Sequence, residues 1–138
     1  MSKRRKSREL ALQGLYQIEI SEDQAGDVLK LDWVEGKIDR EMEEFTRKLI
    51  NGTLNHIQEI DQYIQKYSPN WNLSRINILD KNLLRFSIYS LLYQKEIPSN
   101  IIINEAVDIA KKFCEDDSYK FINGILDEAN REVRNQQR

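Results

Sequence analysis

Apolar residues recur at intervals of three and four along most of this chain of 138 residues, and this spacing constrains the fold more than any other feature. One series runs through Leu49, Thr53, Ile57, Ile60 and Ile64, which places these side chains on one face of an α-helix. Only two prolines and five glycines interrupt the chain, and no segment has the strict alternation typical of a half-buried strand. The sequence therefore predicts an all-α fold.

The spacing predicts six or seven helices packed as two small antiparallel bundles within a single domain. The segment "YSPNWNLS" interrupts the helical pattern, because Pro69 biases the residue before it away from helical angles. We therefore expect an N-terminal bundle at about 1–67 and a C-terminal bundle at about 74–138.

The expected helix bounds follow from capping residues and from the ends of each apolar stripe. We expect the first helix at 8–20 with Ser7 as its N-cap, and a short helix around Val28 to Trp33. A long helix is expected from about 39 to 66 and another at 75–95. The last two helices are expected after Pro98, capped by Ser99 or Asn100, and from Asp117 or Ser118 as the cap. Phe113 is expected on the apolar stripe of the first of them.

The single histidine and single cysteine exclude most catalytic and metal chemistry. A zinc site built from these residue types needs three or four ligands, and this sequence offers only His56 and Cys114. There is no glycine-rich phosphate loop, and we expect no enzymatic activity, cofactor or metal. No apolar run approaches the roughly 18 residues of a membrane span, so we expect no membrane partner. One unpaired cysteine favours the reducing cytoplasm.

The first eight residues hold five of the 21 basic side chains, namely Lys3, Arg4, Arg5, Lys6 and Arg8. The other 130 residues carry 16 basic and 23 acidic side chains, a formal net charge of -7. Cations at the N-terminus of a helix oppose its macrodipole, so we expect a favourable interaction with a partner that compensates for this cost. Nucleic-acid phosphate is one such partner, and a basic tail that only aids solubility is the alternative.

Three further positions are unusual in a helical bundle. Gly124 lies inside a helix, which indicates close approach by a neighbouring helix or by a ligand, with packing the more common cause. Arg85 is flanked by apolar residues and should pair with a carboxylate at the edge of the core. Phe121 is either an exposed platform for stacking an unpaired base or a partly buried core residue.

Four segments together resemble the NusB family of bacterial transcription antitermination factors. They are, in order, "RRKSRELALQGLYQIE", "RINILDKNLLRFSIYSLLY", "EIPSNIIINEAVDIAKKF" and "DDSYKFINGILDEA". The resemblance spans nearly the full length and is weakest at 21–45. It implies an all-helical fold of two bundles and binding of boxA, a segment of nascent ribosomal RNA, together with the small-subunit ribosomal protein NusE. The complex is then expected to help RNA polymerase read through terminators.

The resemblance also implies roles for individual residues. The expected single-stranded RNA contacts are Lys3, Arg4, Arg5, Lys6, Arg8, Asp117, Lys120 and Phe121. The expected NusE contacts are Tyr16 and Asp80. This chain has Ser90 where the family often has Glu, which leaves Glu105 as the expected partner of Arg85.

Two alternatives remain open at this point. A domain of the same fold precedes the catalytic domain of an RNA cytosine methyltransferase, and this sequence ends without such a domain. The other alternative is a protein-interaction bundle with a nonspecific basic tail, in which a homodimer hides the basic surface.

Overall fold

The computed structural model describes residues 2–21 and 24–135, and its regular secondary structure there is entirely helical, which confirms the prediction of an all-α fold. Seven α-helices and one short 3-10 helix lie in the described ranges. The bounds are α1 Lys3–Ile20, α2 Ala25–Val28, α3 Arg40–Asn55, α4 Ile57–Lys66, a 3-10 helix Leu73–Arg75, α5 Ile78–Tyr93, α6 Ser99–Phe113 and α7 Ser118–Arg134.

Helix α5 lies at the centre of the fold. It contacts α1, α3, α4, α6 and α7. Its sequence explains this position, since Leu83, Leu84, Phe86, Ile88 and Leu91 point in several directions around the helix and all are fully buried. The division into bundles at about 1–67 and 74–138 stays a prediction.

Helix α1 begins five residues earlier than the sequence predicted, so the assignment of Ser7 as N-cap is wrong. Ser2 is the cap, and its hydroxyl accepts a hydrogen bond of 3.0 Å from the backbone N–H of Arg5. Ser7 is buried inside the helix, where its hydroxyl donates to the carbonyl of Lys3 at 2.9 Å. The whole basic tract, Lys3 to Arg8, is therefore helical.

Two other helix predictions need correction. The short helix lies at Ala25–Val28, and the chain leaves it through Leu31, which adopts a left-handed backbone angle with φ of 63°. The predicted long helix is broken at His56, whose backbone at φ −120° and ψ 22° ends α3 before α4 begins. Apolar periodicity continued across this break, so the break left no signal in the spacing.

Arg85 does not pair with Glu105, so that prediction is wrong. Its guanidinium donates from Nε to Asp61 Oδ1 at 2.8 Å and from Nη2 to Asp61 Oδ2 at 2.9 Å, and it also donates to Glu19 at 3.2 Å. Glu19 in turn accepts from Lys81 at 2.6 Å. This network of side chains joins α1, α4 and α5.

Internal packing does not explain Gly124. A Cβ atom added there would meet nothing within 4 Å among the residues that the structure describes, so the expected close approach of a neighbouring helix is wrong. A close approach does occur at Gly52 in α3, where an added Cβ would overlap the ring of Tyr89. Approach by a ligand at Gly124 stays a prediction.

The helices described here are all too short or too polar to cross a membrane.

Candidate nucleic-acid interface

The basic tract occupies the first two turns of α1 and is unevenly exposed. Lys3 and Arg4 are exposed and Lys6 is half-buried, whereas Arg8 is only 4% exposed. Lys3 forms an ion pair of 2.6 Å with Asp39, the N-cap of α3. The structure therefore brings the five predicted cations together on one helix but does not make them equivalent.

Two arginines of the tract bind carboxylates of α6. Arg5 donates from Nε to Glu105 Oε2 at 2.8 Å, and its Nη2 donates to Glu105 and, at 2.9 Å, to Asp108. Arg8 donates from Nη1 to the other Glu105 oxygen at 3.1 Å. The hydrogen bond to Glu105 raises the pKa of the Arg5 guanidinium, and burial lowers the pKa of the Arg8 guanidinium. Glu105 is thus the residue that fixes this part of α1.

An aromatic ring lies beneath the tract. The guanidinium carbon of Arg4 is 4.0 Å from the centroid of the Phe45 ring, and that of Arg8 is 5.3 Å away. Phe45 belongs to α3 and is buried. This cation–π contact orients Arg4 and leaves its guanidinium available to solvent.

The second predicted RNA segment lies at the start of α7. Asp117 and Lys120 are exposed and form a surface ion pair, with 3.7 Å between Lys120 Nζ and Asp117 Oδ1. Phe121 is half-buried, and it packs against the hydrophobic core. Partial burial was one of the two expectations for Phe121, and the exposed part of the ring lines a cavity.

The cavity beside Phe121 has a volume of about 860 Å³ and lies between the start of α5 and the loop that joins α6 to α7. We call it the acidic cavity. Its lining consists of Trp71, Arg75, Ile76, Asn77, Asp80, Glu115, Asp116, Asp117, Ser118 and Phe121. The sequence did not single out Trp71, because this half-exposed residue lies in the loop after α4 and belongs to no helical stripe.

Asp80 was predicted to contact NusE, and the structure places it in the wall of the acidic cavity. The residue is only 7% exposed, and its Oδ1 atom has no hydrogen-bond partner among the described residues. Burial, followed by a hydrogen bond to Asp80, raises the pKa of the Cys114 thiol to about 12. Because a buried acceptor without a partner is costly, this carboxylate is suited to a donor that enters from outside.

Tyr16 lies in a second, more apolar cavity of about 520 Å³, which we call the aromatic groove. Its lining consists of Lys6, Glu9, Leu10, Leu12, Gln13, Tyr16, Leu79, Lys112 and Phe113. The expectation that Phe113 lies on the buried stripe of α6 is wrong, because this last residue of the helix is exposed. Leu79 lines the groove and the next residue, Asp80, lines the acidic cavity, so the two surfaces adjoin.

The basic tract, the aromatic groove and the acidic cavity form one succession on the surface. Lys6 belongs to both the tract and the groove, and the neighbours Leu79 and Asp80 connect the groove to the cavity. Such a surface offers cations, aromatic faces and a buried acceptor to a partner. In the part of the chain that the structure describes, no group of three or more His, Cys, Asp or Glu residues could hold a metal ion.

The sequence is similar to a known family over almost its whole length. The sequence model of the NusB family matches residues 5–131. The transcription antitermination protein NusB of Thermodesulfovibrio yellowstonii is 43% identical over 136 residues, which covers 91% of this chain and 89% of that protein. The transcription antitermination protein NusB of Myxococcus xanthus is 40% identical over 131 residues, with 92% and 94% covered.

Solved structures show the same fold. T. maritima NusB matches with a TM-score of 0.87 and 33% identity, covering 96% of this chain and 93% of that chain. A crystal structure of the antitermination factors NusB and NusE in complex with dsRNA contains a chain that matches with a TM-score of 0.80 and 25% identity, covering 96% and 98%.

Proposed function

Because the chain belongs to the NusB family, we propose that it is an RNA-binding transcription antitermination factor that acts together with NusE. It binds the boxA segment of nascent ribosomal RNA transcripts in the cytoplasm. The resulting complex helps RNA polymerase to read through terminators. The role is regulatory rather than catalytic.

The observation that carries this proposal is the succession of the basic tract, the aromatic groove and the acidic cavity on one surface. Solvent-accessible cations of the tract contact RNA phosphates and release counterions, which makes binding depend on salt. For a single strand the log–log slope is about -0.7 per contact, so two engaged cations would give about -1.4 and four about -3. Arg4 and Lys6 are the best placed of the five, since no carboxylate lies within ion-pair distance of either among the described residues.

Selection among RNA sequences is the role that we propose for the start of α7. The exposed part of the Phe121 ring stacks on an unpaired base, and Lys120 contacts the adjoining phosphate. Asp117, exposed in the same turn, accepts from a base or a ribose. This assignment places the strand along the edge of the acidic cavity, with its phosphates away from the carboxylates that line it.

NusE is the protein partner that we propose for the aromatic groove. Tyr16 of α1 presents an exposed ring there, and Phe113 at the end of α6 adds a second exposed ring. A donor group of NusE that enters the acidic cavity would reach Asp80 Oδ1 and give this atom its missing hydrogen bond. NusE and RNA would then meet along adjoining surfaces, so each should strengthen the binding of the other.

Fluorescence anisotropy with labelled single-stranded boxA RNA tests the proposal directly. A scrambled RNA of the same composition is the control, and both are titrated with and without NusE at two salt concentrations. We expect tighter binding of boxA, an increase in affinity with NusE and a decrease with salt. Phe121→Ala should reduce the preference for boxA, whereas Tyr16→Ala should remove the effect of NusE and leave RNA binding alone unchanged.

The exposed rings of Tyr16 and Phe113 also favour one alternative function, a homodimer that covers the aromatic groove. Equal and weak binding of both RNAs with no effect of NusE would support this alternative. Light scattering over a range of protein concentrations would then reveal the dimer. A dimer that dissociates when RNA is added would mean that the two surfaces overlap.

A further inference from the structure

We propose that Asp108 is a specificity-determining residue, which occupies Arg5 beside the buried Glu105 and thereby weakens the binding of RNA that lacks the matching sequence. The inference rests on the proposed function. In this proposal a carboxylate of α6 competes with RNA phosphate for Arg5 and repels that phosphate. Discrimination against the wrong partner often depends on such an element as much as on attraction to the right one.

The two carboxylates are bound to the tract in different ways. Glu105 is mostly buried and accepts from both Arg5 and Arg8, so it is part of the folded core of this region. The side chain of Asp108 is 54% exposed, and its ion pair is with Arg5 at 2.9 Å. The side chain of Arg5 is 23% exposed and lies at the edge between core and solvent.

The five cations of the tract fall into two groups, those that pair with a carboxylate and those that do not. Lys3 is paired with Asp39, and Arg5 and Arg8 are paired with the carboxylates of α6. Arg4 and Lys6 have no carboxylate within ion-pair distance in the described ranges, and they attract any RNA strand.

Arg5 is the member of the tract that can change partner. Its contact with Asp108 is exposed, and exposed ion pairs contribute little to stability, so a phosphate can compete for the guanidinium. A phosphate that displaces Asp108 can form the bidentate contact that guanidinium groups favour. The displaced carboxylate stays nearby and repels the phosphate, so the exchange has a cost. RNA held only by charge has no fixed position and meets this repulsion in full. We expect boxA RNA, which stacking on Phe121 and contact with NusE hold in one position, to present its phosphate to Arg5 away from Asp108 and so to meet less of it.

The test is Asp108→Asn, measured by anisotropy with boxA RNA and scrambled RNA over a series of salt concentrations, in the presence of NusE. We expect the affinity for scrambled RNA to rise about two- to fivefold, the range of an exposed ion pair. The log–log salt slope for scrambled RNA should steepen by about 0.7, because Arg5 becomes one additional phosphate contact. Affinity for boxA should rise less, so the ratio between the two RNAs falls.

Asp27→Asn is the matched control. It makes the same change in net charge, and Asp27 also forms an exposed ion pair, with Lys30 at 3.3 Å in a region away from the tract. The control should leave both affinities and the slope unchanged. In an Arg5→Ala background, Asp108→Asn should also have no effect.

Three results would overturn the inference. The first is an equal rise in affinity for both RNAs that Asp27→Asn also produces, because the effect would then come from net charge. The second is an unchanged salt slope for Asp108→Asn, which would remove Arg5 from the phosphate contacts. The third is a gain that persists in the Arg5→Ala background. Failure of the proposed function is distinct, since the unmodified protein would then show no preference for boxA, and the inference would fail with it.

Discussion

Arg8→Ala is expected to destabilise the fold without changing the salt dependence of RNA binding, although Arg8 belongs to the basic tract. Its side chain is 5% exposed and donates to Glu105, which is 17% exposed. Removing one partner of a buried ion pair costs about 3–5 kcal/mol. Because Glu105 keeps its contact with Arg5, we expect the low end, about 3 kcal/mol of unfolding free energy, or roughly 10 °C in Tm for a chain of this size.

Arg4→Ala is the matched variant, because Arg4 also lies over the Phe45 ring. It differs from Arg8 in two ways, since it is exposed and has no carboxylate within ion-pair distance among the described residues. Its unfolding free energy should fall by no more than about 1 kcal/mol, the upper value for an exposed cation–π contact. Its log–log salt slope should flatten by about 0.7, the value for one lost phosphate contact on a single strand. Urea denaturation gives the first quantity and salt-dependent anisotropy the second, with RNA binding measured at a temperature where both variants are folded.

The reasoning would be refuted if Arg8→Ala retained full stability and flattened the salt slope. That result would mean that the guanidinium of Arg8 leaves Glu105 and reaches phosphate in solution. A loss of stability in Arg4→Ala as large as that in Arg8→Ala would equally contradict the division of the tract into structural and RNA-contacting residues.

Three further predictions concern the fold. Gly124→Ala should raise the unfolding free energy by about 1 kcal/mol, because alanine favours the helix and its Cβ meets no neighbour among the described residues. Gly52→Ala should instead lower the unfolding free energy by up to about 2 kcal/mol, because its Cβ overlaps the ring of Tyr89. Urea denaturation compares the two variants, and a stabilised Gly52→Ala would contradict the packing. Burial acts to raise the pKa of the Glu19 carboxyl, but hydrogen bonds and nearby cations hold it below the ordinary 4.5, so its stabilising contribution is complete above that pH and is lost as the pH falls through the lowered value. Glu19→Gln should therefore lose less stability than the unmodified protein between about pH 5 and pH 3, and parallel losses would refute this. The thiol of Cys114, with a pKa of about 12, should react with iodoacetamide at pH 8 far more slowly than a thiol of an unfolded control, and equal rates would show that its burial is not maintained.

Local sequence signals were sufficient for the helices but not for their ends. Apolar spacing predicted the all-α class and a count of six or seven helices, since this spacing depends only on neighbours in the chain, but it left the break between α3 and α4 undetected. The start of α1 was missed because Ser2 and Ser7 are both suitable N-caps, and cations in a first turn argue against a helix there. The side chains that offset those cations are Asp39, the N-cap of α3, and Glu105 in α6, and the spacing within α1 carries no information about them.

The same limit explains the wrong partner for Arg85. Its carboxylates, Asp61 and Glu19, are 24 and 66 residues away in sequence and come from two different helices. Glu105 was a reasonable candidate by residue type, but it is already bound to Arg5 and Arg8. Which acid meets which base is decided by the packing of helices around α5, and this packing cannot be derived from the apolar spacing within any one helix.

The candidate surface shows how an acidic protein can present a site for RNA. The carboxylates of α6 lie against the base of the tract, where they hold Arg5 and Arg8 in the fold, and Arg4 and Lys6 remain for an outside partner. The tract therefore attracts RNA less strongly than its five cations would suggest, which limits nonspecific binding. A weak tract needs additional contacts to bind tightly, and the exposed ring of Phe121 and the surface offered to NusE are the contacts that could supply them. On this reasoning selectivity for boxA depends on the acids beside the tract as well as on the cations within it.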